Sequence, residues 1–421
     1  MPFAFRHQPL HSIYLVGNIL ILLLVRLPLW TLANLIPSWR PRPSWSLGRV
    51  LIVSGYRAFL DIMYSTTLMG SESLEKAALS AQSLGFVWVE AAPDFVLGEI
   101  REIADANSVE ACRTGGFWYG PTASGEAGRK ASPGEKVIYH LHGGGYMSSV
   151  HPSNLSMITC FKGFLEFFPH NPRIFTVEYQ ISSAPPFSAS NPFPAALIDA
   201  VAGYRYLVET LGFLPSNVII SGDSAGGHLA FVLARYLAIH ELPNLPVPGG
   251  LLLLSPTVDW AVTHVGPNSS MWKNTRSDFV HAIFTSEYSK NALLGTLPSS
   301  SAATSPWISP ASLQLKVTPG MYAGLPKTCI VAGGAEMTLD PMRTLRDRMQ
   351  EDMGTRDVTY IETPDATHDF FTASWHEPER TNTLREVADW VGSFLLLKNS
   401  STGGLFLGMR LRLPVIKRLR R

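Results

Sequence analysis

The longest apolar stretch of the chain lies near its amino terminus. Ile13 to Ile36 holds 24 residues and a single charge, Arg26. As a helix this stretch would extend about 36 Å, more than the roughly 30 Å hydrocarbon core of a bilayer. Arg26 at mid-span and Pro28 beside it disfavour a straight inserted helix, because a buried charge and a missing backbone N–H both cost free energy. The pattern predicts a membrane anchor, kinked or interfacial, with a cleaved signal peptide or a soluble hydrophobic helix as alternatives.

Beyond this stretch, short aliphatic runs alternate with segments of helical periodicity. This alternation is typical of a mostly parallel sheet with helices on both faces, and predicts the α/β class. The predicted strands are Lys136–Leu141, Arg173–Glu178, Asn217–Ser221, Gly250–Leu254, Thr328–Ala332 and Val358–Glu362. The predicted helices are Pro194–Leu211, Ala225–His240, Asp340–Met353 and Glu377–Leu397. Roughly 70 residues separate the fourth and fifth strands, more than one crossover needs, and they predict a cap.

Composition narrows the classes of function. The chain is 46% hydrophobic and 16% charged with a net charge of +1, which disfavours disorder and nucleic-acid binding. The cysteines Cys112, Cys160 and Cys329 are too few and too scattered for a disulfide framework or a zinc cluster. The tail after residue 400 mixes aliphatic and basic residues, which suits an anionic membrane surface or a disordered segment.

A candidate nucleophile follows the third predicted strand. The segment Asn217–Gly227 reads NVIISGDSAGG, an apolar strand that ends in Gly222-Asp-Ser-Ala-Gly226 and leads into a helix. A sharp strand-to-helix turn at Ser224 requires small neighbours two residues away on either side, hence the two glycines. Such a turn exposes the Ser224 hydroxyl at the edge of the sheet, beside the positive end of the helix dipole.

Glycines upstream supply candidate donors for an oxyanion. The first predicted strand runs into His142-Gly-Gly-Gly-Tyr146, and three consecutive glycines suit a backbone that directs N–H groups inward. In acyl transfer such groups stabilise the tetrahedral intermediate, together with the N–H that follows the nucleophile. We therefore predict Gly143, Gly144 and Ala225 as the donors, and His142 as a residue that braces the loop.

The base and the acid of a triad are expected after the last two strands. His368 follows the last predicted strand and is the predicted general base, with His376 as runner-up. Glu336 lies directly at the end of the preceding strand, and Asp340 lies four residues further on. Either carboxylate could orient the imidazole, and position favours Glu336.

Together these segments resemble the hormone-sensitive-lipase-like branch of the α/β-hydrolases, in particular its membrane-anchored arylacetamide deacetylase and fungal steryl acetyl hydrolase relatives. The resemblance covers about residues 136–397. Its marks are His142-Gly-Gly-Gly-Tyr146, Gly222-Asp-Ser-Ala-Gly-Gly227, Asn191-Pro-Phe-Pro-Ala-Ala-Leu-Ile-Asp199 and His368-Asp-Phe370. The chain departs from the family where Tyr179-Gln-Ile-Ser-Ser-Ala replaces the usual Tyr-Arg-Leu-Ala-Pro-Glu, and Glu336 where the family more often has Asp.

The resemblance implies an α/β-hydrolase fold and a serine carboxylesterase or deacetylase without cofactor or metal. The expected substrates are short-chain, first of all acetyl, esters of lipophilic alcohols, cleaved through an acyl-enzyme. An amidase or formamidase using the same triad is the alternative, and a non-catalytic receptor on the same fold is a weaker one. Pocket residues are expected among Tyr146, Trp272 and Phe279, with other aromatics of the cap.

The organisation that follows has three parts. Residues 1–40 are the predicted anchor, residues 41–400 the hydrolase domain with cap elements at about 41–80 and 261–325, and residues 401–421 the basic tail. Membrane lipid is the expected partner of the anchor, and the relatives imply a single-pass protein of the endoplasmic reticulum. The side of the membrane that the body faces stays open, because Arg40 and Arg42 favour the cytosol whereas the sequon at Asn268 would need the lumen.

Overall fold

The computed structural model describes residues 2–68, 73–120, 126–148, 155–169 and 172–396; the predicted basic tail, 401–421, lies outside these ranges. The described residues form one eight-stranded sheet in the order β1-β2-β4-β3-β5-β6-β7-β8. Its strands are β1 (Phe86–Val89), β2 (Thr114–Tyr119), β3 (Val137–Leu141), β4 (Arg173–Glu178), β5 (Val218–Asp223), β6 (Gly250–Leu254), β7 (Thr328–Gly333) and β8 (Val358–Thr363). Strands β3 to β8 pair in parallel, whereas β2 pairs antiparallel with both β1 and β4.

Helices cover the sheet, and further helices precede its first strand in the chain. Within the described ranges they are α1 (Leu10–Ile21), α2 (Leu27–Ala33), α3 (Leu47–Ser65), α4 (Leu74–Leu79), α5 (Ala81–Leu84), α6 (Gly98–Ala106), α7 (Leu155–Phe167), α8 (Ala195–Arg205), α9 (Ala225–His240), α10 (Ser270–Lys273), α11 (His281–Thr285), α12 (Tyr288–Leu294), α13 (Ser301–Thr304), α14 (Leu339–Met353) and α15 (Glu379–Leu396). The predicted α/β class is confirmed, and all six predicted strands are present.

The pleat of the parallel strands divides the core into two layers. Val137, Tyr139 and Leu141 of β3 face the layer that contains α8 and α9, whereas Ile138 faces the layer of α7 and α15. Successive side chains of a strand point to opposite faces, so a strand buried on both sides is apolar at most of its positions. The aliphatic runs of the sequence are therefore explained by helices on both faces of the sheet.

The amino-terminal apolar stretch is helical from Leu10 to Ala33, and its most apolar 18-residue window has a mean hydropathy of 2.0. A π-helical turn, Leu22–Arg26, joins α1 to α2. Its widened ring is closed by the N–H of Leu27, which donates to the carbonyl of Leu22. Pro28 follows at once and has no N–H to donate, so the wider turn accommodates the proline without ending the helix. By length and composition this helix could cross a membrane.

The segment after the apolar helix is packed onto the hydrolase body. Trp45 is fully buried, and its indole N–H donates to the carbonyl of Asp365 at 2.7 Å. Arg42 donates to the carbonyl of Gly334 at 2.9 Å. Helix α3 then contacts α11, which belongs to the segment between β6 and β7. These contacts fit the predicted cap, which stays a prediction.

Candidate active site

The candidate nucleophile lies at the turn between β5 and α9. Ser224 has φ +52° and ψ −118°, a conformation that L-residues rarely adopt and that costs of order 1–3 kcal/mol. The adjoining glycines make the turn possible: a β-carbon on Gly222 would collide with the carbonyl of Gly226, and one on Gly226 with the carbonyl of Leu141. The turn therefore presents the Ser224 hydroxyl at the carboxyl edge of the sheet, as the motif predicts.

The predicted base reaches this hydroxyl from the loop after β8. Nε2 of His368 lies 2.8 Å from Oγ of Ser224, and Nδ1 lies 2.8 Å from Oε2 of Glu336. A carboxylate can only accept, so we assign the proton to Nδ1, which leaves Nε2 to accept from the serine hydroxyl. The structure thus brings Ser224, His368 and Glu336 into one continuous hydrogen-bonded chain.

Glu336 is held rigidly behind the imidazole. It is fully buried, and its Oε1 accepts from the hydroxyl of Ser255 at 2.7 Å and from the N–H of Gly333 at 2.5 Å. The hydroxyl of Thr338 lies 3.2 Å from Oε2. These donors, together with the imidazole of His368, stabilise the buried carboxylate and fix the oxygen that faces the ring.

Asp340, the alternative acid, is directed elsewhere. It lies in the first turn of α14, where its Oδ2 accepts from the N–H of Ser270 at 2.7 Å and its Oδ1 lies 3.5 Å from Arg343. This carboxylate connects α10 to α14. In this structure Glu336, and not Asp340, contacts the imidazole.

Two further carboxylates surround the imidazole. Asp369 has Oδ2 at 3.4 Å from Nε2 of His368, and Asp278 is fully buried nearby. Burial by itself would lower the pKa of His368, but the negative charges of Asp369 and Glu336, and then of Asp278, outweigh it and raise that pKa. Burial raises the pKa of Asp278 to about 6, opposed by His368. An imidazolium at His368 is therefore strongly stabilised.

The oxyanion donors require a correction at Gly143. Its N–H donates to Oδ1 of Asp223 at 3.0 Å, so it is occupied and does not face the serine as a free donor. The same Oδ1 lies 3.0 Å from Nε2 of the buried His140. For the N–H groups of Gly144 and Ala225 no acceptor is found among the described residues. These two remain the predicted donors. The neighbouring N–H of Gly145 likewise has no acceptor among the described residues.

The other predicted histidines brace loops. Nδ1 of His142 lies 2.8 Å from the carbonyl of Gly143, and the ring stacks on Tyr179 with centroids 4.1 Å apart. Burial lowers the pKa of His142 to about 4, so the ring is neutral. His376, the runner-up base, accepts from the N–H of Thr367 at 3.1 Å and thereby supports the His368 loop from behind.

A small cavity of about 190 Å³ opens beside His368 and Gly144. Of the three predicted pocket residues only Phe279 lines it. Tyr146 is wrong for this role, because it is buried and its hydroxyl lies 2.7 Å from Nδ1 of His228. Trp272 is also wrong, because it is 70% exposed and lines a different cavity.

Sequence reasoning missed two aromatic residues of this cavity. Tyr56 of α3 and Trp375 both line it, and their ring centroids lie 6.2 Å apart. Tyr56 is also 5.7 Å from Phe279. No local motif marks either residue, since they come from opposite ends of the chain. Asp223 and Asp369, by contrast, stand inside the quoted motifs beside Ser224 and His368, and that adjacency could have identified them.

Among the described residues, no group of three His, Cys, Asp or Glu side chains is placed to hold a metal ion.

Comparison with known proteins agrees with this architecture. A family model described as alpha/beta hydrolase fold matches residues 138–372. An esterase of Acinetobacter venetianus is 26% identical over 227 residues, which cover 54% of this chain and 65% of that protein, just under two thirds of its length. An acetyl-hydrolase of Streptomyces hygroscopicus is 28% identical over 267 residues, covering 63% of this chain and 77% of that protein.

A shorter match and a solved structure extend the comparison. Steryl acetyl hydrolase 1 of Saccharomyces cerevisiae is 27% identical over 137 residues, 32% of this chain and 30% of that protein. A crystal structure of an esterase/lipase from an uncultured bacterium matches 86% of this chain and 97% of its own, with a TM-score of 0.52 at 20% identity, and so shares the fold. The chain belongs to the α/β-hydrolase family.

Proposed function

We propose that this protein is a membrane-associated serine carboxylesterase that removes short acyl groups, acetyl first, from lipophilic alcohols. The observation that carries the proposal is the unbroken hydrogen-bonded chain from the strained Ser224 through His368 to Glu336. Carboxylic ester hydrolysis in general, without a choice of acyl group, is also supported by relatives named esterase and acetyl-hydrolase. The acyl length, the triad roles and the acyl-enzyme are proposals of ours.

The proposed reaction proceeds in two acyl transfers. Oγ of Ser224 attacks the ester carbonyl carbon while Nε2 of His368 takes the hydroxyl proton, and the C–O bond to the alcohol breaks as the imidazolium returns that proton to the leaving oxygen. Water then attacks the acyl-enzyme with His368 again as base, which releases the acid and restores Ser224. Glu336 keeps Nδ1 protonated and stabilises the imidazolium, and the N–H groups of Gly144 and Ala225 would bind the oxyanion.

The size and lining of the cavity support a short acyl group. A drug-sized ligand needs roughly 300–1,000 Å³, whereas the space beside His368 is about 190 Å³. The aromatic rings of Tyr56, Phe279 and Trp375 offer apolar contact to one side of the ester. The apolar helix Leu10–Ala33 supports attachment to a membrane, where lipophilic esters concentrate. Residence in the endoplasmic reticulum stays a prediction, for which fluorescence co-localisation is the measurement.

The decisive experiment is fluorophosphonate labelling of the full chain with Ser224→Ala and His368→Ala, using Ser83→Ala on the exposed surface as the matched control. We expect labelling only in the wild type and in the control. Undiminished labelling of Ser224→Ala would refute the assigned nucleophile.

Substrate choice is tested separately with p-nitrophenyl acetate, butyrate and octanoate and with p-nitroacetanilide. We expect a burst of nitrophenol, a kcat/KM that falls with acyl length, and little cleavage of the amide. Faster amide cleavage would favour the amidase alternative, and absence of any turnover with an intact triad would favour the receptor.

A further inference from the structure

Both ends of the amino-terminal apolar helix are attached to the same body. Before the helix, the N–H groups of Phe3 and Phe5 donate to the carbonyls of Tyr64 and Ser65 at 2.7 and 2.9 Å, at the carboxyl end of α3. Phe3 is fully buried, and its ring lies 4.7 Å from that of Tyr288 in α12. The residues that precede the helix are therefore part of the hydrolase core.

The other end is attached near the beginning of α3. Asn34 is buried, and its carbonyl accepts from Nε of Arg40 at 3.0 Å. Arg276 of the body donates to the carbonyl of Trp39 at 3.2 Å, and the buried Trp45 follows. The helix thus runs from the carboxyl end of α3 back to its amino end, and α2 contacts α3.

These attachments are incompatible with a bilayer crossing. The helix of 24 residues is about 36 Å long and α3 with 19 residues is about 28 Å long, so a helix attached near both ends of α3 must run antiparallel to it. A crossing would put Phe3 on the far side of a hydrocarbon core about 30 Å thick, away from Tyr64 and Tyr288. The helix would have to separate from the body, and Phe3 would leave its buried site.

The exposure pattern distinguishes two faces of the helix. The half-covered positions recur every three or four residues, and the outward positions are exposed and almost all apolar. The half-covered set comprises His11, Tyr14, Leu15, Gly17, Asn18, Leu22, Arg26, Trp30 and Thr31. The exposed set includes Ile13 (64%), Leu20 (52%), Leu24 (72%) and Leu32 (60%). Arg26 therefore lies on the body side, and its charge need not enter the hydrocarbon.

A second apolar stripe adjoins this helix. On α3, Ile52, Tyr56 and Phe59 are 36%, 45% and 48% exposed and lie on one helical face. Tyr56 of this stripe also lines the cavity beside His368. Through Tyr56 the exposed stripe of α3 thus reaches the cavity beside His368, which favours a lipid surface over an unrelated protein as its partner.

We propose that the helix Leu10–Ala33 lies in one leaflet of a lipid bilayer, parallel to the membrane plane, and holds the cavity mouth against that leaflet. The body side of the helix faces the hydrolase, and its exposed face enters the acyl boundary, as in other interfacial helices. This placement does not require the proposed esterase activity. It replaces the single-pass anchor expected from the sequence.

The test measures the depth of spin labels on the full chain in phosphatidylcholine vesicles, with the exposed Cys112 replaced by serine. Labels are placed singly at Ile13, Leu24 and Leu32 on the exposed face, and at Leu15 and Leu22 on the body side. We expect the first three at one common depth, about 5–10 Å below the phosphates, with far lower oxygen contact for the other two. The adjacent pair Leu22 and Leu24 is the matched comparison.

Three outcomes would overturn the placement. Equal depth near the midplane for Leu22 and Leu24, with Ile13 and Leu32 near opposite headgroups, would mean a crossing helix. Labels shielded from both oxygen and a water-soluble nickel complex, with a cross-linked dimer, would mean that a second copy covers the face. Labels open to nickel would mean no lipid partner.

An independent measurement covers variants that fold poorly. An epitope is joined to the amino terminus by a glycine–serine linker, and the protein is placed in sealed vesicles with its hydrolase body outside. If the helix lies in one leaflet, external protease digests the epitope. Protection of the epitope would contradict the proposal. Fluorophosphonate labelling of each spin-labelled variant reports separately on the proposed function.

Discussion

Glu336 and Asp340 stand four residues apart but have different partners. Only Glu336 contacts the imidazole, whereas Asp340 accepts from the backbone of Ser270. We predict that Glu336→Gln lowers kcat about 10³–10⁴-fold, because the imidazole loses the acceptor that fixes its tautomer. Asp340→Asn, the matched control, should stay within a few-fold of wild type. Steady-state kinetics with p-nitrophenyl acetate measures both, and the reverse order of effects would assign the acid to Asp340.

Asp369 is a second acidic neighbour of His368, the proposed general base. Its carboxylate lies 3.4 Å from Nε2 of His368 and contributes to the raised pKa of that imidazole. Catalysis needs the neutral imidazole, so a higher pKa places the acidic limb of kcat/KM at higher pH. We predict that Asp369→Asn moves this limb to lower pH by roughly one unit, and that the exposed Asp347→Asn leaves it in place. A limb unmoved by Asp369→Asn would mean that Asp369 is already protonated at those pH values.

At the scale of elements, Asp223 connects the glycine loop after β3 to the nucleophile turn after β5. Its Oδ1 receives the N–H of Gly143 and faces His140, so one carboxylate fixes the loop that carries Gly144. We predict that Asp223→Ala lowers kcat about 10–100-fold with little change in KM, since the oxyanion donors lose their position. Asp223→Asn retains a carbonyl oxygen and should recover most of the rate. Equal losses in both variants would exclude the positioning role.

The elements themselves could be predicted where a local pattern determines them. Strands β3 to β8 follow from continuous aliphatic runs, and the turn at Ser224 from glycines whose positions admit no β-carbon. The short antiparallel β1 and β2 were missed, because β2 contains Gly115 and Gly116, which weaken a strand pattern. The donor at Gly143 was wrong because three glycines look alike in sequence, and only the packed Asp223 decides which N–H is occupied.

Tyr56 shows the limit of local reasoning at the same scale. It reaches the cavity only because Trp45 and Arg42 fix the start of α3 against Asp365 and Gly334. Periodicity could have indicated α3, whose half-buried face is regular, but not which loop it would meet. Long-range contacts of this kind depend on the packed fold, so the aromatic wall of the cavity could be found only in the structure.

For the whole molecule, a membrane-facing cavity predicts that the rate depends on how the ester is presented. If lipophilic substrates enter from the leaflet, the side chains beside the cavity mouth should matter only for substrate held in a bilayer. Ile52 and Phe59 flank Tyr56 on the exposed stripe but do not line the cavity. Replacing both with serine removes apolar surface from the contact with lipid without touching Ser224 or His368.

We therefore predict that the double variant Ile52→Ser/Phe59→Ser loses about 5–10-fold in kcat/KM for a long-chain alcohol acetate in phosphatidylcholine vesicles and keeps its rate on p-nitrophenyl acetate in buffer. The control is Leu214→Ser/Ile239→Ser, an apolar pair that is even more exposed, at 59% and 51%. Leu214 precedes β5 and Ile239 lies near the end of α9, away from the carboxyl edge. Equal loss on both substrates would indicate damage to the fold, and no loss on either would mean that the ester reaches Ser224 from water.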